Sequence, residues 1–150
     1  MRFLMQPVKE QLKYAPASWV LGPAQMPDLV KQAEQLLHRA HSVQVSGSFA
    51  AHGDARPDNI MVLVEACNVK QMKLIDMDWA GVSGSTFYPV TLNAQTILWP
   101  AGVGPGQPLQ QKHDLELLKL QVNPALFAAG TSWRKMFPNG VQVSDMELGF

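Results

Sequence analysis

Two short polar stretches, separated by an apolar run, constrain this chain more than any other feature of its sequence. Residues 52–59 read His-Gly-Asp-Ala-Arg-Pro-Asp-Asn, and residues 74–79 read Leu-Ile-Asp-Met-Asp-Trp. Pro57 fixes its own φ and disfavours helix at the residue before it, so the first stretch is predicted to be a rigid, non-helical loop. Such a loop can turn between Asp54 and Asn59 and present both side chains on one face.

The run between the two stretches predicts a β-hairpin. Residues 60–64, Ile-Met-Val-Leu-Val, are typical of a buried strand; we expect residues 65–71 to turn and residues 72–75 to return as a second strand. This hairpin would bring Asp76 back beside Asn59. Two oxygen ligands at the ends of paired strands suit Mg²⁺, which keeps several waters and takes other ligands from substrate phosphates.

The spacing His-x-Asp-x-x-x-x-Asn followed by an Asp after an apolar strand is that of catalytic loops in phosphoryl-transfer enzymes. The segment resembles the protein-kinase-like superfamily, on the side of aminoglycoside and choline phosphotransferases. It is most similar to fungal kinase-like proteins with His-Gly-Asp-Leu-Arg-x-x-Asn-Ile and Ile-Asp-Phe-Asp-Trp-Ala-Gly. The chain departs from that pattern at Ala55, usually Leu, and at Met77, usually Phe. The resemblance spans residues 26–120 and extends to Tyr88-Pro89, Leu92-Asn93, Trp99 to Val103 and His113-Asp114.

The resemblance implies an α+β fold, the C-terminal lobe of a kinase-like domain, mainly helical with a small catalytic β-hairpin. It also implies ATP-dependent phosphoryl transfer to the hydroxyl group of a protein or a small molecule. Asp54 would orient that hydroxyl and accept its proton, and Arg56 would stabilise the transferring phosphoryl group. Asn59 and Asp76 would bind the Mg²⁺ of Mg-ATP.

Two further polar residues are expected beside this site in structural roles. By resemblance, His52 braces the loop through backbone contacts and is not itself a base, whereas Asp78 makes a secondary polar contact. Asp and Asn are also common in ordinary turns. The joint pattern of loop, arginine, strand and following Asp favours the catalytic interpretation over the turn interpretation.

The part of the sequence before His52 lacks other features of a kinase. Residues 1–51 contain no Gly-rich phosphate loop and no Val-Ala-x-Lys strand, which a kinase carries in an N-terminal lobe ahead of the catalytic loop. The resemblance therefore implies a truncated domain without that lobe, and an isolated chain that is inactive. The alternative is a non-catalytic kinase-like fragment that acts as an interaction module.

Composition limits the classes of partner. The 150 residues carry 12 basic and 12 acidic side chains, so the formal net charge is zero and no basic stripe indicates nucleic acid or a membrane surface. The single cysteine, Cys67, cannot form an internal disulfide, which suits the cytoplasm or another reducing intracellular compartment. No apolar stretch is long enough to span a bilayer.

Three segments are expected along the chain. Residues 1–25 are predicted to be irregular with a short helix near 8–13, residues 26–122 to form the kinase-like lobe, and residues 123–150 to form a C-terminal extension. Within the lobe, apolar spacing predicts helices over 27–41 and 109–122 and a short element over 92–98. Asp114 is expected to cap the second helix.

A different enzyme class uses histidines and aspartates in a similar order. His52, His113-Asp114 and Asp145 follow the order of the ligands in His-Asp metal phosphohydrolases. Those sites place their ligands on helices, whereas His52 lies in a loop that contains Gly and Pro, so this interpretation is the weaker one.

Overall fold

The described part of the chain is a mixed α/β structure with two small antiparallel sheets and three helices. The structure, a computed structural model, describes residues 14–66, 68–123 and 139–142. The combination of two sheets and three helices agrees with the predicted α+β class. Within these ranges no helix has the length and apolarity needed to cross a membrane. The elements are β1 Ala15–Pro16, α1 Ala17–Val20, α2 Met26–His41, β2 Gln44–Val45, β3 Ser48–Ala51, β4 Ile60–Glu65, β5 Asn68–Leu74, β6 Gly81–Val82 and α3 Gln111–Val122.

Helix α2 forms where the sequence predicts it, beginning one residue earlier. Pro27 lies in its first turn, where a missing backbone donor costs nothing, and Asp28 places negative charge near the positive helix end. Its core-facing residues recur at helical spacing, and Leu29, Ala33 and Leu37 are fully buried. The helix therefore anchors one side of the fold.

The hairpin of β4 and β5 is present, but its turn is shorter than predicted. Glu65 pairs with Asn68, so the predicted turn over 65–71 is wrong and most of that segment belongs to β5. The register shifts between Leu63 and Val64, because Leu63 pairs with Gln71 whereas Val64 pairs with Val69. This bulge leaves Lys70 without an opposite residue and breaks the period of two that would have identified the strand.

Two other elements differ from their predictions. Helix α3 begins at Gln111 and not at residue 109, because Leu109 bonds through its N–H to Thr86 and through its carbonyl to Gly84. Residues 92–98 form irregular chain with bends at 95–97 instead of a regular element. The side chain of Asn93 organises them by accepting bonds from the backbone N–H groups of Gln95 and Thr96.

Residues on both sides of the segment 26–122 are buried in the structure. Strand β1 pairs with β4, and Ala17 and Leu21 belong to the core that contains Leu29 and Ile60. Residues 14–25 thus contain short regular elements, and the predicted helix near 8–13 lies outside the described residues. Near the other end, Val141 is fully buried.

Candidate functional site

The loop at 52–59 connects strand β3 to strand β4. It begins directly after Ala51 and ends in a short 3₁₀ turn over Pro57–Asn59. Arg56 has φ −107° and ψ 158°, the extended conformation expected before a proline. Gly53 has φ +89°, and a Cβ there would lie 2.9 Å from Leu109 Cδ1, so both conformation and space favour glycine.

A buried carboxylate from helix α3 holds the start of this loop. Asp114 is fully buried. Its Oδ2 accepts the backbone N–H of His52 at 2.7 Å, and its Oδ1 accepts that of Gly53 at 2.8 Å. The same Oδ2 lies 2.7 Å from Nε2 of His41, the last residue of α2. Three donors on one ionised acceptor make a strong, charge-assisted anchor.

Asp114 does not cap its helix, so that prediction is wrong. The N-cap position of α3 is Gln110, whose side chain makes no capping bond, and the N–H of Gln111 in the first turn donates to Ser83 Oγ at 3.3 Å. The sequence does contain a signal for the observed role. Asp114, Leu117 and Leu118 share one helical face and are all buried, and a carboxylate on such a face needs partners of its own.

The ring of His52 connects the loop to the end of the hairpin. Nδ1 accepts the backbone N–H of Asp54 at 3.1 Å, so the ring proton is on Nε2, which donates to the carbonyl of Ile75 at 2.9 Å. Both ring nitrogens are thus occupied by backbone groups. In this arrangement His52 has a bracing role and no free nitrogen for proton transfer.

Asp54, Arg56 and Asn59 contact one another directly. The guanidinium of Arg56 bonds to both carboxylate oxygens of Asp54, Nε to Oδ1 at 2.5 Å and Nη2 to Oδ2 at 3.0 Å. Asn59 Nδ2 also donates to Asp54 Oδ2, at 2.9 Å, and to the Asp54 carbonyl at the same distance. Asp54 and Asn59 are buried. The two side chains therefore share one face of the loop.

Asp76 follows the hairpin at the same end as Asn59. The backbone N–H of Ile75 donates to the carbonyl of Asn59 at 2.9 Å, which fixes the neighbouring Asp76 at the end of β5. Asp76 is exposed and has φ +59°, an uncommon backbone conformation for a residue other than glycine. Asp78 is exposed too, and its N–H lies 3.5 Å from Asp76 Oδ1, a long and weak hydrogen bond.

The charges around Arg56 describe the electrostatics of the site. The pKa of Arg56 is raised above its ordinary value, first by the hydrogen bond to Asp54 and then by negative charge. That charge comes from Asp54, from Asp58 at 3.5 Å and from Asp76. Burial of the guanidinium lowers the pKa, but by less than these interactions raise it. The guanidinium is therefore a fixed cation among carboxylates.

The residues of the phosphohydrolase alternative have other partners. His113 Nδ1 lies 3.1 Å from the hydroxyl of Tyr88, whereas the carboxylate of Asp114 bonds to the loop and to His41. Asp145 lies outside the described residues, as does Cys67. Among the described residues, no group of three or more His, Cys, Asp or Glu side chains is arranged to hold a metal ion.

Comparisons of the chain with protein-family models, with curated proteins and with solved structures find no match.

Proposed function

We propose that this chain is the catalytic lobe of a protein-kinase-like phosphotransferase, which transfers a phosphoryl group from Mg-ATP to a hydroxyl group of a protein or a small molecule. One observation carries the proposal. Asp54 and Asn59 share a hydrogen bond of 2.9 Å within an anchored loop, and the backbone bond between Ile75 and Asn59 puts Asp76 at the same end of the hairpin. Phosphoryl transfer depends mainly on such positioning and on electrostatics.

The contacts of Asp54 define what it must do as a base. Its carboxylate accepts three hydrogen bonds, two of them from Arg56. To accept the proton of an acceptor hydroxyl, it has to lose one of these donors. A phosphoryl group offers Arg56 another partner of matching geometry, because guanidinium binds phosphate and carboxylate with the same fork of N–H groups. Arg56 would therefore move from Asp54 towards the phosphoryl group as the substrate binds.

The donor set at Asn59 and Asp76 fits a hard cation such as Mg²⁺. Asn59 uses Nδ2 to donate to Asp54, so its Oδ1 is the atom that a cation can approach. Asp76 contributes an exposed carboxylate. Two oxygen ligands suit Mg²⁺, which fills the remaining positions with water and phosphate oxygens. When bound, the ion would neutralise charge on the transferring phosphates.

Nucleotide binding by this sequence alone is expected to be weak. Residues 1–51 carry neither the Gly-rich loop nor the lysine strand that hold phosphates in kinases. A dissociation constant of about 1 mM corresponds to only about 4 kcal/mol, which the loss of translational and rotational freedom alone can offset. We therefore expect Mg-ATP to bind more weakly than about 1 mM.

The cation site can be tested without nucleotide. Mn²⁺ shares the oxygen preference of Mg²⁺, and its unpaired electrons broaden nearby NMR signals. We expect Mn²⁺ to broaden the side-chain amide of Asn59 and the backbone amide of Asp76 in the wild type and in Asp78→Ala. The broadening should be lost in Asp76→Ala. Broadening that is centred elsewhere, or that Asp76→Ala leaves unchanged, would overturn the site.

Calorimetric titration of Mg-ATP into the wild type and into Asp76→Ala then tests the nucleotide. Binding that is weaker than about 1 mM in the wild type and still weaker in the variant supports the proposal. Micromolar binding that Asp76→Ala abolishes would support the site and refute the argument from the absent phosphate loop. Equal binding by both proteins would count against Asp76 as a ligand.

A second function, that of a non-catalytic interaction module, is favoured by one feature of the surface. The side chains that line an apolar hollow of about 210 Å³ include those of His41, His52 and Ala80. Val43 and Met77 also line it and expose 54 and 53% of their surfaces, and Phe49, next to Ala50 in the sequence, exposes 48%. Exposed apolar surface of this kind is typical of interaction sites. If Asp76→Ala changes neither Mn²⁺ nor nucleotide binding, this function becomes the better explanation.

A further inference from the structure

The carboxylate of Asp114 has a third partner besides the two loop amides. His41 is the last residue of α2, and its ring, which is almost fully buried, lies with Nε2 at 2.7 Å from Asp114 Oδ2. Both Asp114 oxygens already accept backbone N–H groups, so the carboxylate acts as an acceptor and Nε2 donates to it. Helix α2 thus reaches the loop through a carboxylate on helix α3.

The backbone around His41 is fixed independently of its ring. The side-chain amide of Gln111 donates to the carbonyl of His41 at 2.8 Å and to the carbonyl of Ala50 at 2.8 Å. This bridge holds the end of α2 against α3 and β3 whichever side chain occupies position 41. A change of the His41 ring therefore tests its donor function apart from the position of the helix end.

The orientation of a carboxylate about its last torsion is intrinsically broad. Asp114 can serve the loop only if one oxygen meets the N–H of His52 while the other meets the N–H of Gly53. These donors belong to consecutive residues of the loop that is to be held, so they move with it. The donor on α2 supplies an anchor outside the loop.

We propose that His41 is a positioning residue, which orients the Asp114 carboxylate so that it holds the backbone of His52 and Gly53 in place. Its importance for catalysis rests on the proposed function, because the loop continues into Asp54 and Asn59. The hydrogen bond between His41 and Asp114 does not depend on that proposed function. His41 touches neither the candidate base nor the candidate metal ligands in this arrangement, and acts on them through Asp114.

The test measures amide hydrogen exchange and amide proton shifts of the ¹⁵N-labelled full chain, with no nucleotide or metal present. The Val62 amide in β4 serves as the reference for global stability. His41→Leu removes the donor and keeps an apolar side chain. We expect it to lower the protection of the Gly53 amide, relative to Val62, by about tenfold or more, since a hydrogen bond to a charged group contributes about 1.5–3 kcal/mol. His41→Gln retains an N–H donor and should restore most of the protection.

Gln111→Met is the matched control, because it removes the bridge to the carbonyls of His41 and Ala50 without touching the carboxylate. It should lower overall stability and leave the Gly53 protection, relative to Val62, within about threefold of the wild type. Unchanged Gly53 protection in His41→Leu, or failure of His41→Gln to restore it, would overturn the proposal. If His41→Leu does not fold, the ¹⁵N shifts of the wild-type ring decide, and a proton on Nδ1 instead of Nε2 would refute it.

This readout separates the two proposals. Loss of Gly53 protection in His41→Leu can occur whether or not the chain binds Mn²⁺ or Mg-ATP. Conversely, an unchanged loop in His41→Leu leaves the metal and nucleotide tests at Asp76 valid.

Discussion

Asp114→Ala is the substitution that should damage this fold most. The wild-type carboxylate accepts from three buried donors: the N–H groups of His52 and Gly53 and the ring of His41. Alanine removes the acceptor and leaves all three donors in place. Because Asp114 is fully buried, water cannot take its role without rearrangement of the surrounding residues.

The expected cost follows from the number of donors. A buried donor without a partner costs about 1–3 kcal/mol, so three of them would cost about 3–9 kcal/mol. Some relaxation of the loop is expected, so we predict a loss in the lower part of this range, about 3–5 kcal/mol, for Asp114→Ala. Asp114→Asn keeps one acceptor oxygen and the shape, and should lose about 1–3 kcal/mol, equivalent to one unsatisfied donor. Domains are stable by only about 5–15 kcal/mol.

Urea unfolding followed by circular dichroism measures these losses. With a slope of about 2 kcal/mol per molar, Asp114→Ala should lower the midpoint by about 1.5–2.5 M. The control is Glu34→Gln, which removes a carboxylate from an ion pair with Lys119 at 3.0 Å, both partners being about one-third exposed. Such a surface pair contributes about 0–1 kcal/mol. If Asp114→Ala stayed within about 1 kcal/mol of the wild type at unchanged slope, the anchoring role of Asp114 would be refuted.

Gly53→Ala should be more destabilising than Gly84→Ala. Both glycines have positive φ, but a Cβ at 53 meets Leu109 at 2.9 Å, whereas at 84 nothing lies within 4 Å. We expect both variants to lose about 1 kcal/mol of stability from the backbone conformation alone. Gly53→Ala should lose about 1–3 kcal/mol more from crowding, and equal urea midpoints for the two variants would contradict this. A third prediction concerns pH. Burial, assisted by the positive charge of Lys112, lowers the pKa of His113 below its ordinary 6.5. The folded state then binds fewer protons at this ring than the unfolded state. The contribution of His113 to the free energy of unfolding is therefore complete above pH 6.5 and falls as the pH drops below that value. His113→Asn keeps an acceptor for Tyr88 and removes the titration, so its urea midpoint should fall less than that of the wild type between about pH 7 and 5; parallel losses would contradict the assignment.

Local sequence signals were enough for the parts of the fold that depend on neighbouring residues. Apolar spacing and an early proline predicted helix α2 to within one residue. Pro57 predicted the extended conformation of Arg56, and the apolar run after Asn59 predicted strand β4. The loop-and-hairpin pattern also predicted that Asp54 and Asn59 share a face. These results depend on backbone sterics and on periodicity, which act over a few residues.

Tertiary structure alone decided the features that join distant parts of the chain. The bulge at Lys70 and the pairing of Leu109 with residues 84–86 depend on partners that local spacing does not identify. The same holds for Asp114, which was predicted to cap a helix and instead holds an amide 62 residues away. A carboxylate on a buried helix face must find donors, but which donors it finds depends on how the helices and the loop pack together. Because burial makes an unpaired charge so costly, the packed core, and not the local sequence, determines that choice.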